Sequence, residues 1–299
     1  MSLERIVLGT AGIGGIWGEV DADTSVNTIL TALEQGIGAI DTAPAYGNAE
    51  SYVGKALREW KGDRPIISSK VGRLSGFSVD EATYDYSVEG MCRSVENSLR
   101  TLGVDTLDIL FLHDPAHMQE EDAGRVIETL LSFKEKGYTK KVGVGGNPPA
   151  WMQPYLTPEI FDTLMEFNKL NACNTLALNE NLPFCINNQM QYYNASPLNM
   201  GLLGNCYDSY TSNPPAWLDA SFVESAKCVK YLANLNGMLL HELAHRFLLS
   251  LPYTFNIVIG ASNLVQLETT LEDFRQGPLP VRIVHEIIKC ANEKKLLDE

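Results

Sequence analysis

Positive charge is scarce in this chain. Lysine and arginine together number 23, against 37 aspartates and glutamates, which gives a formal net charge of −14 at pH 7. Because a phosphate backbone is repelled by a surface of that sign, the balance argues against nucleic acid as a partner and against anionic membrane surfaces. A cofactor phosphate needs only local positive charge or a helix N-terminus, so the balance leaves such a ligand open.

Two further features are missing. No apolar run is long enough to span a bilayer, and the first residues, MSLERIVLG, contain no extended apolar stretch of the kind found in secretory signals. The six cysteines form no CxxC pair. We therefore expect a cytoplasmic protein without a membrane partner, in which the cysteines are reduced and mostly buried.

The composition is that of an ordinary globular protein, 45% hydrophobic and 20% charged. The predicted elements follow one another in a repeating order. A short apolar run, a turn and an amphipathic helical pattern recur along the chain. Strands are predicted over 6–8, 37–40, 65–69, 107–112, 141–144, within 170–178, 190–194 and 255–259. Helical patterns lie between them, including one over 158–167, and two more follow the last strand near 264–274 and 281–297.

Eight strands that alternate with helices in 299 residues predict an α/β fold, a single (β/α)8 barrel over residues 1–299 with extra C-terminal helices. A doubly wound sheet is the alternative, and it would carry a Gly-x-Gly-x-x-Gly turn after the first strand. The glycines from Gly9 to Gly18 do not have that spacing, and no acidic residue follows the second strand in the ribose-binding role. The sequence therefore favours the barrel.

Four titratable residues stand at or just after the ends of three consecutive predicted strands. Asp41 ends the second strand and Tyr46 lies in its loop, Lys70 ends the third strand, and His113 ends the fourth. In a (β/α)8 barrel these ends meet at one mouth, which is where catalytic groups stand. Each residue alone has an ordinary explanation, such as a helix cap or a structural ion pair. Together they predict an active site.

The chemistry of these four residues fits one task. A free phenol has a pKa of about 10 and is a poor acid at neutral pH, and a nearby ammonium lowers that pKa. We therefore predict that Tyr46 is the general acid/base, that Lys70 tunes it, and that Asp41 anchors Lys70. His113 is predicted to orient the reacting oxygen. Such a set moves the proton of a carbonyl–alcohol interconversion, and the accompanying hydride implies a nicotinamide cofactor, NAD(P)(H).

The sequence around these residues resembles the aldo-keto reductase family. DTAPAYG, from Asp41 to Gly47, is similar to the family motif Asp-Thr-Ala-x-x-Tyr-Gly, SSKVG carries the family lysine, and FLHD carries the histidine. ASPLNMGLL, Ala195 to Leu203, resembles the segment that touches the cofactor phosphates. IVIGASNLVQLETTL, Ile257 to Leu271, resembles the segment around the adenosine 2′-phosphate. Within the family, GVGGN and PLNMGLL resemble the L-fucose or D-threo-aldose 1-dehydrogenase branch.

The resemblance implies an oxidoreductase that oxidises an aldose at C1 or reduces an aldehyde or ketone. The implied partner is a small-molecule carbonyl or sugar substrate, and we expect a monomer or a weak homo-oligomer. The implied cofactor-binding residues are Thr10, Asn147, Asn174, Ser196, Leu198, Gly201, Gly260, Ala261, Ser262 and Gln266.

The resemblance is incomplete at the cofactor. Family members that prefer NADPH carry Lys or Arg where this chain has Gly260, Ser262 and Gln266, so NAD against NADP stays open. Ala195 stands where the family's nicotinamide-stacking aromatic residue is expected. A non-catalytic or regulatory barrel that retains nicotinamide binding is therefore the alternative function.

Two other features have competing explanations. His241-Glu242-Leu243-Ala244-His245 matches the HExxH motif of zinc proteases, in which both imidazoles face one side of a helix. In the barrel this segment is an outer helix away from the mouth, so we expect packing histidines there and no metal. Trp17 and Tyr84 lie on predicted mouth loops, where they either line a substrate pocket or cover the rim of the barrel.

Overall fold

The computed structural model describes residues 3–77 and 82–292. Eight parallel strands form a closed barrel in which each strand pairs with its neighbours in sequence and the last strand closes against the first. The strands are β1 (Ile6–Gly9), β2 (Ala39–Asp41), β3 (Ile66–Val71), β4 (Leu107–His113), β5 (Thr139–Gly145), β6 (Thr163–Phe167), β7 (Gln191–Ala195) and β8 (Asn256–Gly260).

Ten α-helices surround the barrel within the described part of the chain. They are α1 (Ala22–Glu34), α2 (Ala49–Glu59), α3 (Val88–Leu102), α4 (Ala123–Glu135), α5 (Asn181–Asn187), α6 (Tyr207–Ser212), α7 (Ala220–Leu235), α8 (Leu240–Leu249), α9 (Leu264–Arg275) and α10 (Val281–Asn292). Short 3₁₀ helices occupy Pro115–His117, Glu120–Asp122, Ala150–Tyr155 and Leu176–Asn179. The predicted (β/α)8 barrel with extra C-terminal helices is confirmed. None of the helices in residues 3–77 and 82–292 is long and apolar enough to cross a membrane.

The strand β4 shows how the sequence builds the barrel wall. Its seven residues, LDILFLH, are all buried, because one face of a parallel barrel strand meets the interior and the other meets the helices. Leu110 and Leu112 join the core between strands and helices, whereas Ile109 and Phe111 join an inner cluster inside the barrel. The inner cluster consists of Val7, Ala39, Ile109, Phe111, Met165, Tyr193 and Val258. It fills the barrel, so a ligand can enter only at the ends.

Helix boundaries follow local capping rules. The side chain of Ser87 accepts a hydrogen bond from the backbone N–H of Gly90 and so starts α3, and Gly103 ends that helix in a left-handed conformation with φ of 71°. This helix lies between β3 and β4 in the chain.

The sixth strand lies earlier than predicted. The segment 158–167 does not form the predicted helix, and Thr163–Phe167 instead forms β6, upstream of the strand predicted within 170–178. Leu164 faces the helices and Met165 faces the barrel interior, so both faces of the strand are buried. The segment therefore shows no alternation of polar and apolar residues, and its apolar residues match a helix as well as a strand. Asn174 lies in a turn beyond β6 rather than in the strand.

Two cysteines contradict the prediction of reduced thiols. Cys228 on α7 and Cys290 on α10 form a disulfide, with their Cα atoms 5.8 Å apart. They are 62 residues apart in the sequence, and only the packing of α10 against α7 brings them together. The remaining cysteines, Cys92, Cys173, Cys185 and Cys206, are free thiols.

Candidate active site

The carboxyl ends of β2, β3 and β4 bring the predicted side chains to one mouth of the barrel. Asp41 is the last residue of β2, Lys70 is the penultimate residue of β3, and His113 is the last residue of β4. Strand pairing sets Asp41 beside Ser68 and Lys70 beside Phe111. The three side chains therefore stand directly above the inner cluster, at the level where the barrel opens.

A buried ion pair joins two of these strand ends. Lys70 Nζ donates hydrogen bonds to Asp41 Oδ2 at 2.5 Å and to the carbonyl oxygen of Thr42 at 3.0 Å. Ser68 Oγ donates to the other carboxylate oxygen of Asp41 at 2.8 Å. Lys70 and Asp41 each expose only 2% of their surface. Burial opposes the charge on Lys70, but the carboxylate of Asp41 outweighs it and raises the pKa of the ammonium, so Lys70 stays charged.

Tyr46 lies beside this ammonium, as predicted. Lys70 Nζ is 4.7 Å from the centroid of the Tyr46 ring. Burial raises the pKa of the phenol, the charge of Lys70 lowers it, and the charge of Asp41 raises it again. The net direction is upward, so the expectation of a lowered pKa is wrong. Desolvation at the mouth outweighs the effect of the nearby ammonium.

The loop that carries Tyr46 is clamped between its neighbours. The backbone N–H of Gly47 donates to the carbonyl oxygen of Gly76 in the loop after β3, and Asn48 donates to that of Gly14 in the loop after β1. Gly47 has a φ of 56°, and a Cβ there would collide with the carbonyl oxygen of Gly14. The glycine that closes the DTAPAYG motif therefore fixes the position of the phenol.

His113 faces Tyr46 across the mouth. The two rings meet edge to face, with centroids 5.8 Å apart and planes at 89°. The side chain is buried, and Nδ1 has no hydrogen-bond partner among the described residues. Burial, together with the positive charges of Lys70 and Arg73, holds the pKa of His113 well below its usual value. The imidazole is therefore neutral at physiological pH.

Four residues that sequence analysis missed, Tyr86, Asp114, Arg73 and Arg125, surround the backbone of His113. The Tyr86 hydroxyl lies 2.7 Å from the carbonyl oxygen of His113 and 2.8 Å from that of Asp114. Arg73 Nη1 donates to Asp114 Oδ2 at 3.1 Å, and Arg125 Nη1 donates to the carbonyl oxygen of Tyr86 at 2.9 Å. Asp114 could have been recognised from the sequence, because it directly follows His113. No local signal marks Tyr86, which comes from the loop before α3.

The two predicted substrate residues have different surroundings. The ring of Tyr84 stacks on His117, with centroids 4.3 Å apart, and more distantly on Tyr86 at 6.0 Å. Trp17, in the loop after β1, leaves 55% of its surface exposed. Tyr84 therefore forms part of an aromatic stack at the rim, whereas Trp17 is accessible to a ligand.

Several predicted cofactor residues lie at the same end of the barrel. Thr10 follows β1 and donates through both its backbone N–H and its hydroxyl to the carbonyl oxygen of Asp41, each at 3.0 Å. Asn147 follows β5, and its Oδ1 accepts from the backbone N–H of Phe167 at 3.2 Å. Asn174 is engaged elsewhere, since its side-chain amide donates to the carbonyl oxygen of Asn168 at 2.7 Å.

The loop after β7 has an unusual backbone. Asn199, Met200 and Gly201 are consecutive and have φ values of 50°, 54° and 92°, and Ser196 has a φ of 62°. The backbone N–H groups at this turn are used within the loop, since those of Asn199 and Gly201 donate to the carbonyl oxygens of Ser196 and Leu198, and that of Met200 donates to Ser196 Oγ. Asn199 is buried, and its Nδ2 has no hydrogen-bond partner among the described residues. The loop, which includes Leu198, therefore keeps the side-chain amide of Asn199, rather than its backbone N–H groups, without an internal partner in the described part of the chain.

The loop after β8 leads into a helix N-terminus. Gly260 ends β8 and Ala261 follows it, and the backbone N–H of Ser262 donates to Gln266 Oε1 at 2.9 Å. Asn263 caps α9 by accepting from the backbone N–H of Gln266. The N-terminus of a helix favours a negative ligand. No Lys or Arg stands from Gly260 to Gln266.

Comparison with known proteins agrees with this geometry. The sequence model of the Aldo/keto reductase family matches residues 5–292. L-galactose dehydrogenase of Arabidopsis thaliana is 26% identical over 278 residues, which cover 90% of this chain and 83% of the plant protein. D-threo-aldose 1-dehydrogenase of a Pseudomonas species is 26% identical over 224 residues, which cover 68% of each chain. The structure of a glycerol dehydrogenase from Gluconobacter oxydans superposes with a TM-score of 0.77 at 26% identity, covering 97% of this chain and 91% of that one.

The family match extends over all eight strands and over the loops after β7 and β8. It confirms the resemblance drawn from the motifs around the barrel mouth. This chain belongs to the aldo/keto reductase family of oxidoreductases.

Proposed function

We propose that this chain is an NAD(P)(H)-dependent oxidoreductase that interconverts a carbonyl and an alcohol, with Tyr46 as the general acid/base. The observation that carries the proposal is the position of the Lys70 ammonium. It lies 4.7 Å from the centroid of the Tyr46 ring and is held by Asp41 at 2.5 Å. This arrangement supplies preorganised positive charge where a phenolate would form.

Tyr46 holds or moves the proton at its hydroxyl oxygen. Because its pKa is raised, the phenol is protonated at neutral pH and can donate to a carbonyl oxygen. As the proton leaves, the ammonium of Lys70 stabilises the phenolate, and Asp41 keeps that ammonium charged and in place. In alcohol oxidation the same phenolate accepts the proton from the substrate hydroxyl.

His113 orients the reacting oxygen in this proposal. Its imidazole is neutral, and its ring centroid lies 5.8 Å from that of Tyr46. Its Nδ1 has no hydrogen-bond partner among the described residues. A neutral imidazole can donate one hydrogen bond without competing with the phenol as an acid. Because Tyr86 holds the backbone carbonyl of His113, the ring is preorganised before substrate arrives.

When bound, a nicotinamide cofactor supplies or accepts the hydride. We propose that it is held by these residues: Thr10, Asn147, Ser196, Leu198, Gly201, Gly260, Ala261, Ser262 and Gln266. Asn174 is left out because its amide is engaged in the turn after β6. With no Lys or Arg from Gly260 to Gln266, a 2′-phosphate finds no charged partner in this segment. We expect NADH to bind at least as tightly as NADPH.

The substrate class in this proposal is a small aldehyde, ketone or aldose. Two relatives act on sugars according to their names, L-galactose dehydrogenase and D-threo-aldose 1-dehydrogenase. Exposed aromatic rings suit the apolar faces of a sugar ring, and Trp17 and Phe77 stand on loops at the mouth with 55% and 63% of their surfaces exposed. We propose oxidation of an aldose at C1 as the first reaction to assay.

Ala195 favours the competing function, a barrel that binds a nicotinamide without turnover. It ends β7 and offers no aromatic ring to stack on a bound nicotinamide.

A paired experiment separates the two functions. NADH and NADPH are titrated by protein fluorescence, and turnover is then assayed with a panel of aldoses and small aldehydes. Binding followed by turnover supports the proposal. Binding without turnover on any substrate supports the competing function, and failure to bind either nicotinamide contradicts both.

A further inference from the structure

On the outer surface of the barrel, α8 and α9 bring together three side chains of the kind that bind metal ions. His241 and His245 lie one turn apart on α8, and Asp273 lies on α9. Asp273 Oδ2 is 2.7 Å from His241 Nδ1 and 2.8 Å from His245 Nδ1. The potential ligand atoms of all three lie within 4.8 Å of one another. Two imidazole nitrogens and a carboxylate oxygen form a set that zinc accepts.

We propose that His241, His245 and Asp273 form a binding site for a divalent transition metal of the Zn²⁺ class, which ties α8 to α9. The observed distances between nitrogen and oxygen are hydrogen-bond lengths. A tetrahedral zinc, with bonds of about 2.0–2.2 Å, separates its ligand atoms to about 3.3 Å. Asp273 Oδ2 therefore needs to move only about half an ångström away from each nitrogen for a metal to replace the bridging protons, and the three ligand atoms already lie within 4.8 Å of one another.

One side of the cluster is closed and the other is open. His245 is buried and its ring packs 4.9 Å from that of Phe274, and Asp273 is also buried. His241 is half-buried, and with Asp273 it lines an open cleft of about 670 Å³. The remaining coordination position faces this cleft, where a water molecule can occupy it.

The charges around the cleft favour a cation. Glu242, Glu268 and Glu272 line it along with Asp273, against one basic residue, Arg275.

The cluster lacks the general base of a zinc protease. In HExxH enzymes the glutamate of the motif performs that role. Here Glu242 Oε1 accepts from Arg246 Nη1 at 2.7 Å, one turn along α8, and its Oε2 lies 3.4 Å from the backbone N–H of Leu239. Because Glu242 is paired within its own helix, the site is expected to bind metal without hydrolysing peptides.

The test is calorimetric titration of the chelator-stripped full chain with ZnCl₂ in excess Mg²⁺. One Zn²⁺ per chain is expected. His241→Gln and Asp273→Asn should each weaken binding about tenfold or more. Glu242→Gln tests whether that carboxylate is a ligand. His285→Gln, which removes an exposed histidine on α10, is the matched control. Both of these variants should bind as the unaltered chain does.

Two further readouts do not depend on catalysis. Zn²⁺ should raise the melting temperature of the unaltered chain and of His285→Gln, but not that of His241→Gln, because metal that binds only the folded state stabilises it. Co²⁺ in the same site should give absorption without a thiolate band, since the ligands are nitrogen and oxygen. The proposal fails if the unaltered chain does not bind one Zn²⁺, if His241→Gln and Asp273→Asn bind unchanged, or if a thiolate band appears.

Discussion

The hydroxyl of Tyr86 lies 2.7 Å from the backbone carbonyl oxygen of His113, so a residue from the loop before α3 supports the end of β4. The next residue, Asp114, has a left-handed backbone with φ of 50°, and its carbonyl oxygen is 2.8 Å from the same hydroxyl. We define the tetrad as Asp41, Tyr46, Lys70 and His113. The backbone turn at His113 is therefore stabilised by Tyr86, which is not a member of the tetrad.

The first prediction concerns this support. Tyr86→Phe removes the single hydroxyl proton that two largely buried carbonyl oxygens share, so it should lower the free energy of unfolding by about 1–3 kcal/mol. Turnover should fall more than substrate affinity, because Tyr86 supports His113, the residue proposed to orient the reacting oxygen. Urea unfolding and steady-state kinetics measure the two effects. Tyr138→Phe is the control. It removes a hydroxyl whose hydrogen bond to the exposed Glu96 is long, 3.4 Å, so it should change stability by less than about 0.5 kcal/mol. Equal losses in the two variants would contradict the supporting role.

The buried pair gives a second prediction. Lys70→Met leaves the carboxylate of Asp41 buried without its partner and should cost about 3–5 kcal/mol of unfolding free energy. The double variant Lys70→Met/Asp41→Asn removes the stranded charge as well, so it should be more stable than Lys70→Met alone. Chemical denaturation of both variants and of Asp41→Asn completes a double-mutant cycle. Strictly additive effects would show that the two side chains are not coupled.

The pH dependence of catalysis is the third prediction. The pKa of Tyr46 lies above its ordinary value of 10.0, so the phenol keeps its proton at neutral pH, and that of His113 lies well below 6.5. Carbonyl reduction, which needs the protonated phenol, should therefore be level from about pH 6 to about pH 9 and fall in stronger alkali. Alcohol oxidation, which needs the phenolate, should rise with pH over the same range. A histidine titration near pH 6.5 in kcat/KM would contradict the neutral state assigned to His113.

The fourth prediction concerns the disulfide between α7 and α10. Cys228 and Cys290 close a loop 62 residues long in sequence, so removing the bond should lower the free energy of unfolding by about 2–4 kcal/mol. Reductant should lower the melting temperature of the unaltered chain. The variant Cys228→Ser/Cys290→Ser should melt at that lower temperature with or without reductant. If reductant leaves the melting temperature of the unaltered chain unchanged, the bond does not stabilise the protein.

The barrel and the tetrad could be predicted from the sequence because both depend on order along the chain. A run such as LDILFLH followed by a polar residue marks a buried parallel strand and its carboxyl end, and the barrel rule brings consecutive ends to one mouth. Asp41, Lys70 and His113 needed no distance information to be grouped. Tyr46 followed from its place in the loop after the second strand.

The features that were wrong or missing depend on packing in three dimensions. β6 is buried on both faces and has no alternation to distinguish it from a helix, so the sequence predicts the sixth strand too far downstream, within 170–178. The disulfide joins α7 to α10, which are far apart in the sequence. The cluster of His241 with Asp273 depends on how two consecutive helices, α8 and α9, pack side by side. The direction in which the pKa of Tyr46 shifts could not be predicted, since it depends on how far burial outweighs the charge of Lys70.

The most direct test of the central claim is the turnover rate of Tyr46→Phe with nicotinamide already bound. The substitution removes only the hydroxyl, and fluorescence titration should show cofactor affinity within about twofold of the unaltered chain. We predict that carbonyl reduction falls by about 10²–10⁴-fold, the range expected for loss of a general acid. A variant that binds nicotinamide and keeps most of the rate would contradict the assignment of Tyr46 as the proton donor.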